Sequence, residues 1–268
     1  MGDRDTTTAS LTLVALGWTP ERTREFSGHA ASGLVPGRVT SSSGRTIAQT
    51  EAGATEVILQ RRSAREASSA AELPTVGDWL ALQPVADAPR QAALREVLTR
   101  RSAFVRQRPS DGRPQVLAAN VDVAFIVAGL DLDLNVRRIE RYLVLALDGG
   151  VTPVVVLNKA DVAVDLAAAV SAVHAVAAGT RVIVASALTG VGLDELLAYL
   201  DGGTTACLLG SSGVGKSTLT NRLLGEERQA VRTLREDDSK GRHTTTHREL
   251  FALPDGGLLI DTPGLRTV

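Results

Sequence analysis

Cysteine occurs once in these 268 residues, at Cys207, which excludes an internal disulfide and any zinc site built from cysteines and suits a reducing compartment. No apolar run approaches the roughly eighteen residues of a membrane span. The patch LTLVALGW at 11–18 follows Asp3, Arg4 and Asp5 rather than a positive segment, so no secretory signal is expected either. Aromatic residues make up only 3% of the chain, too few to furnish base-stacking platforms, so Trp79 is read as a core residue. Lysine is the scarcest of the common charged residues: of 29 basic residues only Lys159, Lys216 and Lys240 are lysine. A planar guanidinium cannot replace a compact ammonium in a tight phosphate cradle, so the surviving lysines mark positions that demand one.

What is present is a chain long enough for two domains, 44% hydrophobic, with a net charge of −1 that is unevenly spread. Residues 1–120 carry 15 arginines against 12 acidic residues, and the remainder carries 14 basic against 18 acidic. Between 90 and 113 seven arginines face only Glu96 and Asp111, which is either a stripe for a polyanion or a solvated linker face.

Residues 1–32 are polar and weakly patterned, and are expected to form a partly ordered extension. From 33 to about 100, short β-type stretches (GLVPGRVT, RTIAQT, TEVILQ, VGDWLALQ) alternate with turns. They predict a small all-β barrel, OB-like in the first instance, although spacing alone does not separate that from an SH3-like barrel. A basic connector follows over 101–118. From 119 the pattern becomes strand, helix, strand. VDVAFIVAGL is an apolar strand of the doubly buried type. Asn135 caps a helix whose face is Ile139, Tyr142, Leu143 and Ala146 and which Gly149 can close, and PVVVLNKAD, an alanine-rich helix, RVIVASAL and GLDELLAYL continue the alternation. Residues 119–268 are therefore predicted to be a doubly wound α/β P-loop domain.

GSSGVGKS at 210–217 fits the G-x-x-x-x-G-K-[ST] pattern, with a strand before it and a helix after it. Gly210, Ser211, Ser212, Gly213, Val214, Gly215, Lys216, Ser217 and Thr218 are expected around the phosphates. Lys216 would reach the β- and γ-phosphates, and the Ser217 hydroxyl would ligate Mg2+. In NKAD, Asp161 can accept from the N1–H and amino group of guanine, a donor pair that adenine lacks; Asn158 braces the loop, the Lys159 stem lies along the base, and Ala160 is counted with them in the nucleotide site. In SAL the Ala187 amide would approach the guanine oxygen, with Ser186 beside it in the nucleotide site. Asp261 of DTPG is expected to hold Mg2+ through water, and the Gly264 amide to sense the γ-phosphate. Thr245, from the run Thr244–Thr246, is the candidate for the last metal ligand. Leu265 stands where a water-positioning glutamine is found in Ras-like proteins, so His243 is the candidate to orient or deprotonate water.

These motifs run base, phosphate, switch, metal, whereas the usual GTPase order begins with the P-loop. Rotating the list restores that order, which predicts a circular permutation. In GLVPGRV, VGDWLAL, RRSAFVRQ, QVLAANVDVAFIV, NKAD, SSGVGKST, GRHTTT and DTPGLR, in that order, the chain resembles the circularly permuted ribosome-assembly GTPases called RsgA or YjeQ. The resemblance covers nearly everything from residue 33. It implies a slow GTP hydrolase stimulated by the 30S ribosomal subunit, active late in its maturation in the bacterial cytoplasm. By the same resemblance the OB domain contacts 16S rRNA, the GRHTTT histidine takes part in hydrolysis, and the Arg90–Arg113 stripe faces RNA. A monomer is expected, with neither DNA nor membrane as partner. Family members continue past DTPG into a zinc-binding domain, whereas this sequence stops at Val268, so a truncated G domain is expected and no zinc is assigned to it. Two other readings stay open: a nucleotide-gated RNA-binding module with incidental hydrolysis, and an ATP-using P-loop kinase.

Overall fold

The computed structural model describes residues 12–59, 73–107, 112–131, 134–225 and 248–261. Five strands form the first unit: β1 (Val35–Ser43), β2 (Arg45–Thr50), β3 (Gly53–Ile58), β4 (Trp79–Val85) and β5 (Ala88–Val97). Strand β1 pairs with both β2 and β4, and β3 pairs in parallel with β5, so the order β1-β2-β3-β5-β4 closes on itself. The strand order, with β3 parallel to β5, decides between the two barrels in favour of the OB-like one. Alternation along each strand turns Val39, Ala48, Val57, Leu80, Leu82, Ala92 and Leu94 inward as the barrel core. Strand β5 occupies part of the arginine-rich stretch, and the connector is a hairpin of β6 (Ala103–Gln107) and β7 (Pro114–Ala119).

The second unit comprises β8 (Val123–Gly129), α2 (Val136–Asp148), β9 (Thr152–Asn158), α3 (Leu166–Val176), β10 (Arg181–Val184) and α4 (Leu193–Leu197), then β11 (Thr205–Leu209), α5 (Lys216–Leu224), β12 (Glu249–Ala252) and β13 (Leu258–Asp261). The strands order as β10-β9-β8-β11-β13-β12, all parallel except β12. Counted from the P-loop strand β11, and passing from β13 to β8 as though the chain were closed, the order becomes 6-5-4-1-3-2. That is an ordinary doubly wound sheet, with the chain cut open after its third strand. Along β8 the side chains alternate between two packed faces. Ala124, Ile126 and Ala128 meet Ile139, Tyr142 and Leu143 of α2 and Val173 of α3, whereas Val123, Phe125 and Val127 meet Leu196 of α4 and Leu219 and Leu223 of α5.

Helix α2 bears out its sequence reading in detail. Asn135 accepts from the Arg138 amide at 3.1 Å, and the buried face is Ile139, Tyr142, Leu143 and Ala146. Gly149 is the C-cap, while the left-handed turn that reverses the chain falls on Gly150, at φ 71°. Cys207 lies in the centre of β11, fully buried, and burial pushes its thiol far above the usual range. A thiol reagent should therefore find no reactive cysteine in the native protein and one equivalent in denaturant; rapid labelling without denaturant would contradict this packing.

Residues 12–32, read from sequence as an extension, contain helix α1 (Pro20–Ala31), capped by Thr19 with Pro20 at its first position. Its Phe26 is buried, and Trp18 stands edge-on to Phe26 at 5.7 Å and to Trp79 at 4.8 Å. Trp79 itself is 2% exposed, a core residue as its sequence context implied.

Between barrel and sheet lies a buried charged network. The Arg38 guanidinium of β1 donates to Thr205 Oγ1 (2.9 Å), Asn120 O (3.0 Å), Gly77 O (3.3 Å) and Leu16 O, and covers the Trp79 ring at 5.4 Å. Burial pulls its pKa down to about 10 and Asp122 pulls it back, so it remains charged at neutral pH. Arg22 of α1 donates to Asn120 Oδ1 (2.8 Å) and Thr99 O (2.7 Å), and Arg100 grips the buried Asp78 with two bonds of 2.8 Å. Strand β1 then touches the other sheet directly, Ser41 pairing with Glu249 at the start of β12.

Candidate nucleotide site

The parallel strands β8, β9, β11 and β13 end on one edge of the sheet, where a doubly wound fold binds its ligand. The connection from β11 to α5 there is the P-loop. Gly210, Gly213 and Gly215 all have positive φ (146°, 86° and 93°), conformations that a side chain would strain. Two of them also make room: a Cβ on Gly210 would strike the Val127 carbonyl of β8, and one on Gly215 would strike the Asn158 amide. A Cβ on Gly213 would meet nothing within 4 Å, which leaves that stretch of backbone open to a ligand. Gly215 caps α5, so the positive end of the helix dipole opens beside Lys216 and Ser217. Lys216 is 8% exposed, and its ammonium donates to Gly210 O (2.6 Å) and Ser211 O, curled into the loop it belongs to. Ser212 and Thr218 are exposed, whereas Ser211 and Ser217 are half-buried and Val214 is buried.

Asn158 joins the two halves of the site. It is 1% exposed at the end of β9; its Nδ2 donates to Val214 O in the P-loop (2.9 Å), and its Oδ1 accepts from the Ala187 amide of SAL (3.0 Å). Three motifs separated by tens of residues in the chain are thus tied together by one amide side chain. Arg222 of α5 reinforces the link, donating to Ala187 O (2.9 Å) and Leu188 O (2.6 Å); sequence reasoning missed it because an arginine in a helix's last turn is usually read as a surface charge. Asp161 is exposed, and one carboxylate oxygen accepts from the buried Ser186 hydroxyl, which leaves the other able to face a base. Ala160 donates to Ala185 O at 3.0 Å, and Lys159 sits in the left-handed region at φ 67°. The Ala187 amide, expected beside the guanine oxygen, already serves Asn158, so a base would share it or displace that bond.

Asp261 ends β13. Cys207 of β11 is in register with Ile260, which sets Asp261 alongside the last residues of β11, just before Gly210. The carboxylate and the Ser217 hydroxyl are thus carried to the same edge of the sheet by adjacent elements. Both are the hard oxygen donors that Mg2+ takes, one or two protein oxygens supplementing those of phosphate. Among the described residues no three or more His, Cys, Asp or Glu side chains cluster as a metal site. His243, Thr245 and Gly264 lie outside the described residues.

Comparison with known proteins agrees with this architecture. The family model described as RsgA GTPase matches residues 97–268. A small ribosomal subunit biogenesis GTPase RsgA from Syntrophotalea carbinolica is 42% identical over 266 residues, covering 96% of this chain and 72% of that protein. The one from Streptomyces coelicolor is 45% identical over 267 residues, covering 96% and 69%. The RsgA 2 of Lactiplantibacillus plantarum is 48% identical over 217 residues, and there the match spans 81% of this chain and only 61% of the relative. The crystal structure of YjeQ from Thermotoga maritima superposes with a TM-score of 0.63 at 26% identity, covering 86% of this chain and 74% of that one. YloQ, described as a circularly permuted GTPase, shares the fold with a TM-score of 0.58 at 22% identity, covering 86% and 71%. A closed OB-like barrel, a permuted P-loop sheet and this family match together leave one assignment: the chain belongs to the RsgA GTPase family.

Proposed function

We propose that this chain binds guanine nucleotide, hydrolyses GTP to GDP and phosphate, and uses that cycle in maturation of the 30S ribosomal subunit. The observation that carries the reading is Asn158, whose side chain spans the P-loop and SAL and so makes one pocket of the phosphate cradle and the base reader. In it Asp161, braced by Ser186, accepts from the guanine N1–H and amino group. The P-loop amides, the α5 N-terminus and Lys216 surround the phosphates. Mg2+ held by Ser217, and by Asp261 through water, would neutralise charge on the β- and γ-oxygens. Thr245, Gly264 and His243 complete the assignment from sequence: Thr245 as a metal ligand, Gly264 at the γ-phosphate and His243 as the group that orients water.

The working division of the chain is residues 33–100 as the barrel, 101–118 as a connector and 119–268 as the nucleotide unit. The partner follows from the curated relatives, which are named for biogenesis of the small ribosomal subunit. A barrel that contacts 16S rRNA, a bacterial cytosolic setting and a monomer complete the proposal. No described helix is long and apolar enough to cross a membrane. The Arg90–Arg113 stripe is not uniformly available to RNA, because Arg100 is committed to Asp78; among the described residues Arg90, Arg95, Arg101 and Arg113 are the exposed members.

Fluorescent GDP, GTP and ATP analogues test the base. GDP and GTP should bind and ATP should not, and Asp161→Asn should cut the guanine-over-adenine preference roughly tenfold or more, since bonds to an ionised acceptor are lost. Equal affinity for ATP, with Asp161→Asn silent, would favour the kinase reading instead. Turnover measured with and without 30S subunits separates a stimulated hydrolase from an RNA module with incidental hydrolysis.

A further inference from the structure

We propose that Asp131 is a positioning residue for guanine recognition, acting through Lys159; the inference rests on the guanine-nucleotide reading above. Asp131 belongs to none of the motifs and stands 28 residues before Lys159, yet its Oδ2 accepts from the Lys159 ammonium. The sheet fixes this encounter. Strands β8 and β9 run parallel with Gly129 opposite Asn158, and the Leu130 amide donates to Asn158 O at 2.8 Å, so the residues that follow the two strands emerge side by side. Gly129 supplies the seat, because a Cβ there would come within 2.5 Å of Asp131 Oδ1.

The pair is partly sheltered, the side chains being 36% exposed for Asp131 and 29% for Lys159. The Lys159 backbone is held left-handed, with Val162 N–H donating to its carbonyl at 3.1 Å and Ala160 N–H tied to Ala185 O. Backbone and ammonium are therefore both anchored, one at each end of the side chain, and the methylene stem between them is confined. A lysine stem has more rotamer freedom to lose than most side chains, and a stem that lies along a purine must lose it. Asp131 removes part of that freedom before the ligand arrives, and preorganisation of this kind raises affinity without a new contact to the ligand.

The test is a double-mutant cycle on GDP affinity, read by polarisation of a fluorescent GDP analogue with the full chain. Asp131→Asn, which is nearly isosteric, should weaken binding about three- to tenfold, the range of a partly sheltered ion pair. Asp131→Ala should do the same by a different truncation. Lys159→Met keeps most of the stem but removes the ammonium, and in that background Asp131→Asn should have no further effect. A general structural role for Asp131 predicts the opposite, an equal loss in both backgrounds, and that result overturns the proposal, as does wild-type affinity in both Asp131 variants. Failure of the wild type to bind any guanine nucleotide would instead bring down the functional reading on which the proposal stands.

Discussion

Lys216→Ala should weaken GDP and GTP binding by about a hundredfold or more, the loss typical of removing a charge aimed at a concentrated anion in a sheltered site. Lys216 is 8% exposed in the first turn of α5, with its ammonium gathered onto the carbonyl oxygens of Gly210 and Ser211. It stands beside the loop amides proposed to hold the phosphates. Alanine is the best helix former, so α5 itself should survive the change. Lys216→Arg should be almost as poor, because the wider guanidinium does not fit where the loop carbonyls close on a compact head group. Titration with a fluorescent GDP analogue reads the loss, and an unchanged urea midpoint excludes unfolding as its cause. Affinity within threefold of wild type for Lys216→Ala would mean that the loop does not hold phosphate.

The second large effect belongs to stability. Arg38→Ala should destabilise the protein by about 3–5 kcal/mol, the cost of breaking a buried, fully bonded charge constellation. Arg38 is 2% exposed, and its four acceptors come from four separate pieces: the turn before α1 (Leu16), the entry to β4 (Gly77), the exit of β7 (Asn120) and the first residue of the P-loop strand (Thr205). Truncation strands those oxygens in a volume that Trp79 and its neighbours keep dry. Arg38→Lys should recover little, since one ammonium cannot reach a set of acceptors arranged for a planar fork. Urea denaturation followed by fluorescence measures the effect, with the edge-on pair Trp18 and Trp79 beside Arg38 as reporters. A change under about 1 kcal/mol would show that the Arg38 bonds add little to holding the barrel on the sheet.

The parts of this structure that were legible in the sequence are those set by local periodicity or by a motif whose spacing is itself the geometry. The face of α2, the apolar strands β8 and β9 and the P-loop glycines belong to that class because neighbours within a few residues determine them, and the rotated order is read directly from where such local motifs fall along the chain. The Arg38, Arg22 and Asp78 network was illegible because its bonds join residues up to 167 positions apart, and a lone arginine in a β-type stretch looks like any solvated charge. Helix α1 was missed for a related reason: its burial rests on Phe26 and the stem of Arg22, too few apolar positions to make a periodic signal. In the candidate site Asn158 was legible as a brace, but its second bond, to Ala187, and the support from Arg222 depend on where SAL folds relative to the P-loop.

The cut after β13 also sets the sequence of events during synthesis. The ribosome delivers β8, β9 and β10 before the P-loop strand, so a nascent chain carries NKAD and SAL while the inner flank of β8 is still unpaired. An unpaired flank of Val123, Phe125 and Ile126 is a template for misplaced strands until β11 emerges to cover it. Translation speed across residues 130–205 therefore governs how long that flank stays uncovered.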